Sequence, residues 1–77
     1  MDGMRPAGLP DRFAHSVRLD RSYYSRYYEI TEWLGQHMGS SVAVSRDGLY
    51  SVDQVFGYTT VYFVNDSDRA HFALVWL

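Results

Sequence analysis

The chain has 77 residues, a formal net charge of −2 and no cysteine, which leaves room for a single domain and excludes disulfides and thiolate metal sites. So small a net charge indicates neither a polyanionic nor a polycationic partner, and no apolar run is long enough to span a bilayer. The N-terminal residues lack the apolar core of a signal peptide, so we expect a cytoplasmic protein without a membrane segment. Because a chain of this size has a small core, the 17% of aromatic residues are expected to supply much of the buried area.

The first part of the chain predicts an arm followed by a strand. Residues 1–10 contain both prolines and no periodic pattern, which predicts a disordered N-terminal arm before one domain over residues 11–77. Residues 11–19 alternate between apolar and polar side chains, which predicts a half-buried strand. The inward side chains are expected to be Phe13, His15, Val17 and Leu19, and the outward ones Arg12, Ala14, Ser16 and Arg18.

Residues 20–38 are the most periodic stretch of the chain and predict its main helix. Apolar side chains recur at three- and four-residue steps along one side, which is typical of a helix that packs on a sheet. Asp20 is positioned to cap the start of the helix, and Gly39 to end it in the left-handed conformation. The apolar stripe consists of Tyr23, Tyr27, Ile30, Trp33, Leu34 and Met38.

Residues 40–53 predict one or two short strands. Residues 40–45 predict a short strand with Val42 and Val44 inward, and Asp47-Gly48 predicts a tight turn. Residues 49–53 fit either a returning strand arm or a longer irregular connection.

Residues 57–65 have the strongest strand pattern, because they are rich in β-branched and aromatic side chains. Since both faces of this strand carry apolar groups, a shift of one residue in register would exchange its buried and open faces. We expect Thr59, Val61 and Phe63 to meet the helix, and Tyr58, Thr60, Tyr62 and Val64 to lie on the other face.

The last residues predict a short helix and a final strand. Several capping residues at positions 65–68 precede residues 69–74, which predict one or two helical turns. Residues 75–77 predict a short closing strand. The inward side chains of the helix are expected to be Ala70, Phe72, Ala73 and Leu74.

This order of elements, β-α-β-β-short α-β, predicts an α+β fold of the ferredoxin-like split β-α-β type, with an antiparallel sheet and helices on one face. The alternative is a β-α-β-β core whose C-terminal segment is entirely helical. In both arrangements the helices leave the other sheet face open.

The open sheet face is the candidate site, because tyrosine and arginine are enriched where proteins bind one another. The expected partner-binding residues are Arg12, Arg18, Tyr58, Thr60 and Tyr62. The same side chains also fit ordinary cross-strand pairing, with rings lying over arginine stems. Aromatic side chains on a sheet can stack nucleic-acid bases, but the chain has no lysine, no net positive charge and no RNP-like run, so nucleic-acid binding is the weaker alternative.

No residue pattern indicates catalysis or a metal site. The histidines at positions 15, 37 and 71 do not pair with one another or with a carboxylate at metal-ligand spacing. There is neither a G-x-S-x-G nucleophile elbow nor a phosphate-binding glycine loop. We therefore expect a protein that is not an enzyme and binds no cofactor.

The closing run, YTTVYFVNDSDRAHFALVWL, resembles the ending of small uncharacterised bacteriophage proteins. The positions that carry the resemblance are Phe63, Asn65, Asp68, Ala70, Phe72, Leu74 and Trp76. The resemblance covers about the last quarter of the chain and brings no catalytic motif with it. It implies a phage accessory protein of unknown role in the host cytoplasm, of a kind that frequently acts by binding a host protein.

These patterns together predict a small protein-protein interaction module that binds a host protein or a second copy of itself through the open sheet face. One alternative is single-stranded nucleic-acid binding on the same aromatic face. The other is a homodimer, or a homo-oligomeric structural protein, formed through an exposed strand edge.

Overall fold

The computed structural model describes residues 8–42, 47–55 and 57–77, and within these it is an α+β fold. A three-stranded antiparallel sheet has the strand order β1-β3-β2, and two α-helices and one 3₁₀ helix accompany it. Most of the predicted N-terminal arm, residues 1–7, lies outside the described residues. The elements in chain order are β1 (His15–Leu19), a 3₁₀ helix (Arg21–Arg26), α1 (Tyr27–Met38), β2 (Tyr50–Val55), β3 (Tyr58–Phe63) and α2 (Asp66–Trp76).

The central strand of the sheet is β3, which has the strongest strand composition in the chain. Both β1 and β2 pair with it in antiparallel fashion, so β1 and β2 run parallel to each other with α1 between them in sequence. The register aligns Val17 of β1 and Val52 of β2 with Val61 of β3. Alternation along the strands therefore gives all three valines to the same face.

Both helices pack on this inner face, as the sequence predicts. The core cluster comprises Val17, Leu19, Ile30, Leu34, Met38, Tyr50, Val61, Phe63 and Phe72. Thr59 is also fully buried, and its hydroxyl oxygen accepts a 3.1 Å hydrogen bond from the side-chain amide of Gln54. The predicted inward face of β3 is thus confirmed, including its one polar member.

The predicted main helix forms, but its first six residues adopt the tighter 3₁₀ geometry. Serine and tyrosine are modest helix formers, and this segment has a tertiary anchor near its start. The Tyr23 amide donates to the Asp20 carbonyl at 3.1 Å, and the Tyr23 hydroxyl donates to the Trp76 carbonyl at 2.7 Å. Gly39 follows the helix with a positive φ of 82°, which suits glycine, but its ψ of −137° differs from the left-handed helical conformation that was expected.

The predicted final strand is wrong, because α2 runs through Trp76. The amide of Leu77 donates to the Ala73 carbonyl at 2.9 Å, which continues the helical hydrogen bonding. The rings of Phe72 and Trp76, one turn apart, stack at a centroid distance of 6.1 Å. Burial of these rings outweighs the strand propensity of the last residues. Leu74, expected inward, is instead 84% exposed. The C-terminal segment is therefore helical throughout, as in the alternative arrangement.

The first predicted strand begins four residues later than expected, at His15. The Phe13 amide donates to the Pro10 carbonyl at 3.1 Å, so a turn precedes the strand. Phe13 is fully buried, as predicted, although it does not belong to the core cluster.

Residues 40–42, the described part of the strand predicted over residues 40–45, do not form a strand of the sheet. Residues 43–46, and with them the predicted inward Val44, lie outside the described residues. Among residues 40–42, Ser41 forms an isolated parallel bridge with Tyr50. The returning strand is confirmed as β2. A Cβ at the buried Gly48 would overlap the backbone of Ser41 and Val42, so close approach requires glycine there.

Phe72 of α2 offers a direct test of the core, because its ring contacts one ring of the sheet and one ring of α1. Its centroid lies 5.5 Å from that of Phe63 and 5.7 Å from that of Trp33. Phe72→Ala is expected to lower the free energy of unfolding by about 3–5 kcal/mol, since a fully buried ring is removed. Urea denaturation followed by circular dichroism measures this change.

The matched control is Leu74→Ala, two residues away on the same helix and 84% exposed. Its unfolding free energy should stay within about 0.5 kcal/mol of the unmodified chain. Equal destabilisation by both substitutions would contradict the described packing of α2.

Candidate functional site

The outer face of the sheet is the face opposite the helices. Strand alternation and register assign to it Ser16, Arg18, Ser51, Asp53, Tyr58, Thr60 and Tyr62. In one cross-strand row Tyr62 lies between the two serines, and in the next Thr60 lies between Arg18 and Asp53. Asp53 was not predicted as a site residue, because its segment fitted either a strand or a loop. Its alternation with Val52 was the signal for an outward side chain.

The contact between Arg18 and Tyr58 is the most defined feature of the outer face. The guanidinium carbon of Arg18 lies 4.1 Å from the ring centroid of Tyr58. Arg18 is directly opposite Thr60 in the register, so Tyr58 is its diagonal neighbour on the adjacent strand. Three of the predicted site residues, Arg18, Tyr58 and Thr60, are thus brought together. Arg18 is exposed, and Tyr58 and Thr60 are half-buried.

Two of the predicted site residues, Tyr62 and Arg12, do not have the positions expected of them: Tyr62 is buried, and Arg12 lies outside the strand. Tyr62 is only 7% exposed, so its expected exposure is wrong. It belongs to the central strand, where neighbours on both sides limit access to water. Arg12 precedes β1 rather than lying on it, and its guanidinium carbon is 4.9 Å from the ring centroid of Phe13. The turn before β1 takes Arg12 out of the strand alternation that had predicted its position.

The charges of the outer face are mixed and balanced. Arg18 and Asp53 carry opposite formal charges on either side of Thr60, and serine hydroxyls occupy the neighbouring row. Nucleic-acid affinity depends on several cations that neutralise phosphates. A face with one arginine and one aspartate is suited instead to a partner with its own mixture of polar and aromatic groups.

A second polar cluster lies where β1 meets the start of α2. Arg69 Nε donates a 2.6 Å hydrogen bond to Asp66 Oδ1, and His15 Nδ1 lies 3.5 Å from the same oxygen. The hydrogen bond from Arg69 holds the pKa of the Asp66 carboxyl below its ordinary value, and the positive charge of Arg69 acts in the same direction. His15, expected on the inner face, is half-buried beside this carboxylate.

A small open cavity of about 130 Å³ lies between α1 and β2. Its lining residues include Tyr27, Thr31 and Tyr50. Burial raises the pKa of Tyr50, with a smaller contribution from Tyr27, so its hydroxyl remains a hydrogen-bond donor at neutral pH. Ligand pockets usually measure about 300–1,000 Å³. This cavity is therefore smaller than the usual ligand pocket.

Neither a set of three or more potential metal ligands nor a membrane span is found in the described part of the chain. No three or more histidine and acidic side chains within residues 8–42, 47–55 and 57–77 come together as a set of metal ligands. None of the helices in those ranges has the length and apolar character needed to cross a bilayer.

No protein-family model, no curated protein and no solved structure matches this chain. The assignment of function therefore rests on the geometry of the outer face.

The Arg18–Tyr58 contact is testable by a double-mutant cycle. Arg18→Gln removes the charge, and Tyr58→Thr removes the ring while keeping a strand-forming residue. We expect a coupling free energy of about 0.5–1 kcal/mol, as for an exposed cation–π pair. Urea denaturation of the two single variants and the double variant measures it, and strictly additive losses would show that the side chains do not interact.

The Asp66–Arg69 hydrogen bond predicts a change in acid titration. Arg69→Gln should raise the pKa of Asp66, which carbon-detected NMR across an acid titration measures directly. Because the folded pKa is depressed, Asp66 contributes stability above its unfolded pKa of about 3.9 and loses it as the pH falls. The variant should therefore lose less stability than the unmodified chain below about pH 4. An unchanged Asp66 pKa would contradict the hydrogen bond.

Proposed function

We propose that the chain is a small, non-enzymatic protein-interaction module that binds its partner through the outer face of the sheet. The observation that carries this proposal is the Arg18 guanidinium over the Tyr58 ring at 4.1 Å, on the face that the helices leave open. Arginine and tyrosine are among the residues on which binding energy concentrates in protein interfaces.

The contact between Arg18 and Tyr58 also lowers the conformational entropy that these side chains lose when a partner binds. A side chain that is already held in the free protein loses less conformational freedom when a partner covers it. The ring of Tyr58 offers apolar area, while Arg18, Thr60 and Asp53 can form polar contacts around it. This combination of an aromatic centre and a polar surround is typical of a protein interface.

The edge of the sheet at β1 supports a second candidate, self-association. Among the described residues β1 pairs only with β3. We propose a ferredoxin-like arrangement in which the place beside β1, where such a fold has its fourth strand, is open to a strand from another chain. A second copy pairing there through its own β1 would form a homodimer and satisfy the edge.

The biological setting we propose follows from the resemblance of the C-terminal run to phage proteins. In that setting the chain is a phage accessory protein, and its partner is a protein of the host cytoplasm. The mixed charge of the outer face favours a protein over a nucleic acid.

Affinity capture with matched variants tests the proposal. The tagged protein, Tyr58→Thr and Arg18→Gln are each incubated with bacterial lysate, with and without nuclease treatment, and retained proteins are identified by mass spectrometry. Loss of either side chain is expected to weaken binding of the partner by about 2 kcal/mol, roughly 30-fold, as at an interface hot spot.

The control is Tyr28→Ala, which removes a ring that is 83% exposed on α1, away from the outer face. This variant should retain the partner fully. A partner that Tyr58→Thr retains as well as Tyr28→Ala does would contradict the site. Retention only of an untagged copy of the chain that is added to the lysate would support the homodimer, and recovery that nuclease abolishes would support nucleic-acid binding.

A further inference from the structure

Two histidines that are far apart in the sequence meet where α1 and α2 come together. His37 lies in the last turn of α1, and His71 lies in the middle of α2. The centroids of their imidazole rings are 5.9 Å apart, and both residues are exposed to solvent. This pair plays no part in the outer face or in the function proposed for it.

Trp33 holds both imidazole rings in position. His37 stacks on the Trp33 ring at a centroid distance of 4.3 Å, and His71 meets it edge-on at 5.1 Å. Ring contacts of this kind restrict the orientation of otherwise exposed side chains. A ligand that bridges the two imidazoles would therefore pay a smaller entropic cost than at a pair of free histidines.

A hydrogen bond sets the tautomer of His37. Its Nδ1 lies 2.9 Å from the backbone carbonyl oxygen of Trp33. Since a carbonyl oxygen can only accept, Nδ1 is the nitrogen that carries the proton, and in the neutral ring Nε2 has the free lone pair. Metal-binding histidines typically donate their other ring nitrogen to a carbonyl or carboxylate in this way. His37 is thus prepared to bind a cation through Nε2.

We propose that His37 and His71 form a binding site for a borderline divalent transition-metal ion, such as Zn²⁺ or Cu²⁺. Two imidazoles bound to one ion at about 2.0–2.1 Å have ring centroids roughly 5–6 Å apart. The two exposed rings, with centroids 5.9 Å apart, are therefore close enough to share an ion. Imidazole favours these ions over Mg²⁺ and Ca²⁺, and Cu²⁺ is expected to bind most tightly. With two protein ligands, water occupies the other positions of the ion.

The bound ion links α1 to α2 across Trp33. Because the ion binds the folded chain, in which the two rings are adjacent, it should raise the melting temperature. The expectation from sequence that there is no metal site rested on spacing along the chain, and ligands from two different helices escape that criterion.

Copper titration of the untagged protein tests the site. Cu²⁺ quenches nearby tryptophan fluorescence, and Trp33 lies against both rings, so we expect saturable quenching at one ion per chain that EDTA reverses. His37→Gln and His71→Gln should each raise the dissociation constant by roughly tenfold or more, since even outer-shell partners are worth about 10- to 100-fold in metal affinity. Zn²⁺ should raise the melting temperature of the unmodified chain but not of these variants.

The third histidine provides the control. His15 lies on β1 beside Asp66, and His15→Gln should bind Cu²⁺ like the unmodified protein. Circular dichroism checks that all three variants fold. Binding that survives both His37→Gln and His71→Gln, binding that is lost equally in His15→Gln, or the absence of saturable quenching at millimolar Cu²⁺ would each overturn the proposal.

Discussion

Trp33 packs edge-on against Phe72 and Trp76, with ring centroids 5.7 and 6.5 Å away, and this contact joins α1 to α2. Phe72 in turn lies 5.5 Å from Phe63 of the central strand, so one series of rings runs from helix to helix to sheet. The chain has no disulfide to add stability. A domain of this size depends on aromatic burial of this kind for a large part of its stability.

The aromatic contact also decides which surfaces remain available. Because both helices pack on the inner face of the sheet, no helix within the described residues lies over the three-residue cluster of Arg18, Tyr58 and Thr60. The Arg18–Tyr58 pair is an ordinary diagonal cross-strand contact, and this is compatible with a role in binding. A pair that already exists in the free protein stabilises the sheet slightly and presents a preformed surface to a partner.

The elements that local patterns define were predictable from the sequence. Period-two alternation predicted β1 and the two faces of β3, and the three- and four-residue steps of Ile30, Leu34 and Met38 predicted the buried side of α1. The strand predicted for the last residues was wrong. Val75 and Trp76 favour strands locally, but ring packing at one-turn spacing keeps them helical.

The composition of the outer face was partly predictable, and its accessibility was not. Alternation correctly assigned Arg18, Tyr58 and Thr60 to one face, but the burial of Tyr62 depends on tertiary neighbours rather than on its position in the pattern. The proximity of His37 and His71 likewise depends on tertiary structure, because both rings contact Trp33 from two different helices. Sequence spacing cannot identify a contact that forms only when separate elements pack.

The packing of α2 on the inner face is the most direct point at which to test this account, because an open outer face depends on it. Nuclear Overhauser contacts of the Trp76 indole in solution distinguish a helical C-terminal end from a fourth strand. We predict contacts from Trp76 to Trp33 and Phe72, with helical sequential contacts through residue 76. Cross-strand contacts between residues 75–77 and β1 would contradict the account, since they would require a fourth strand in place of the end of α2.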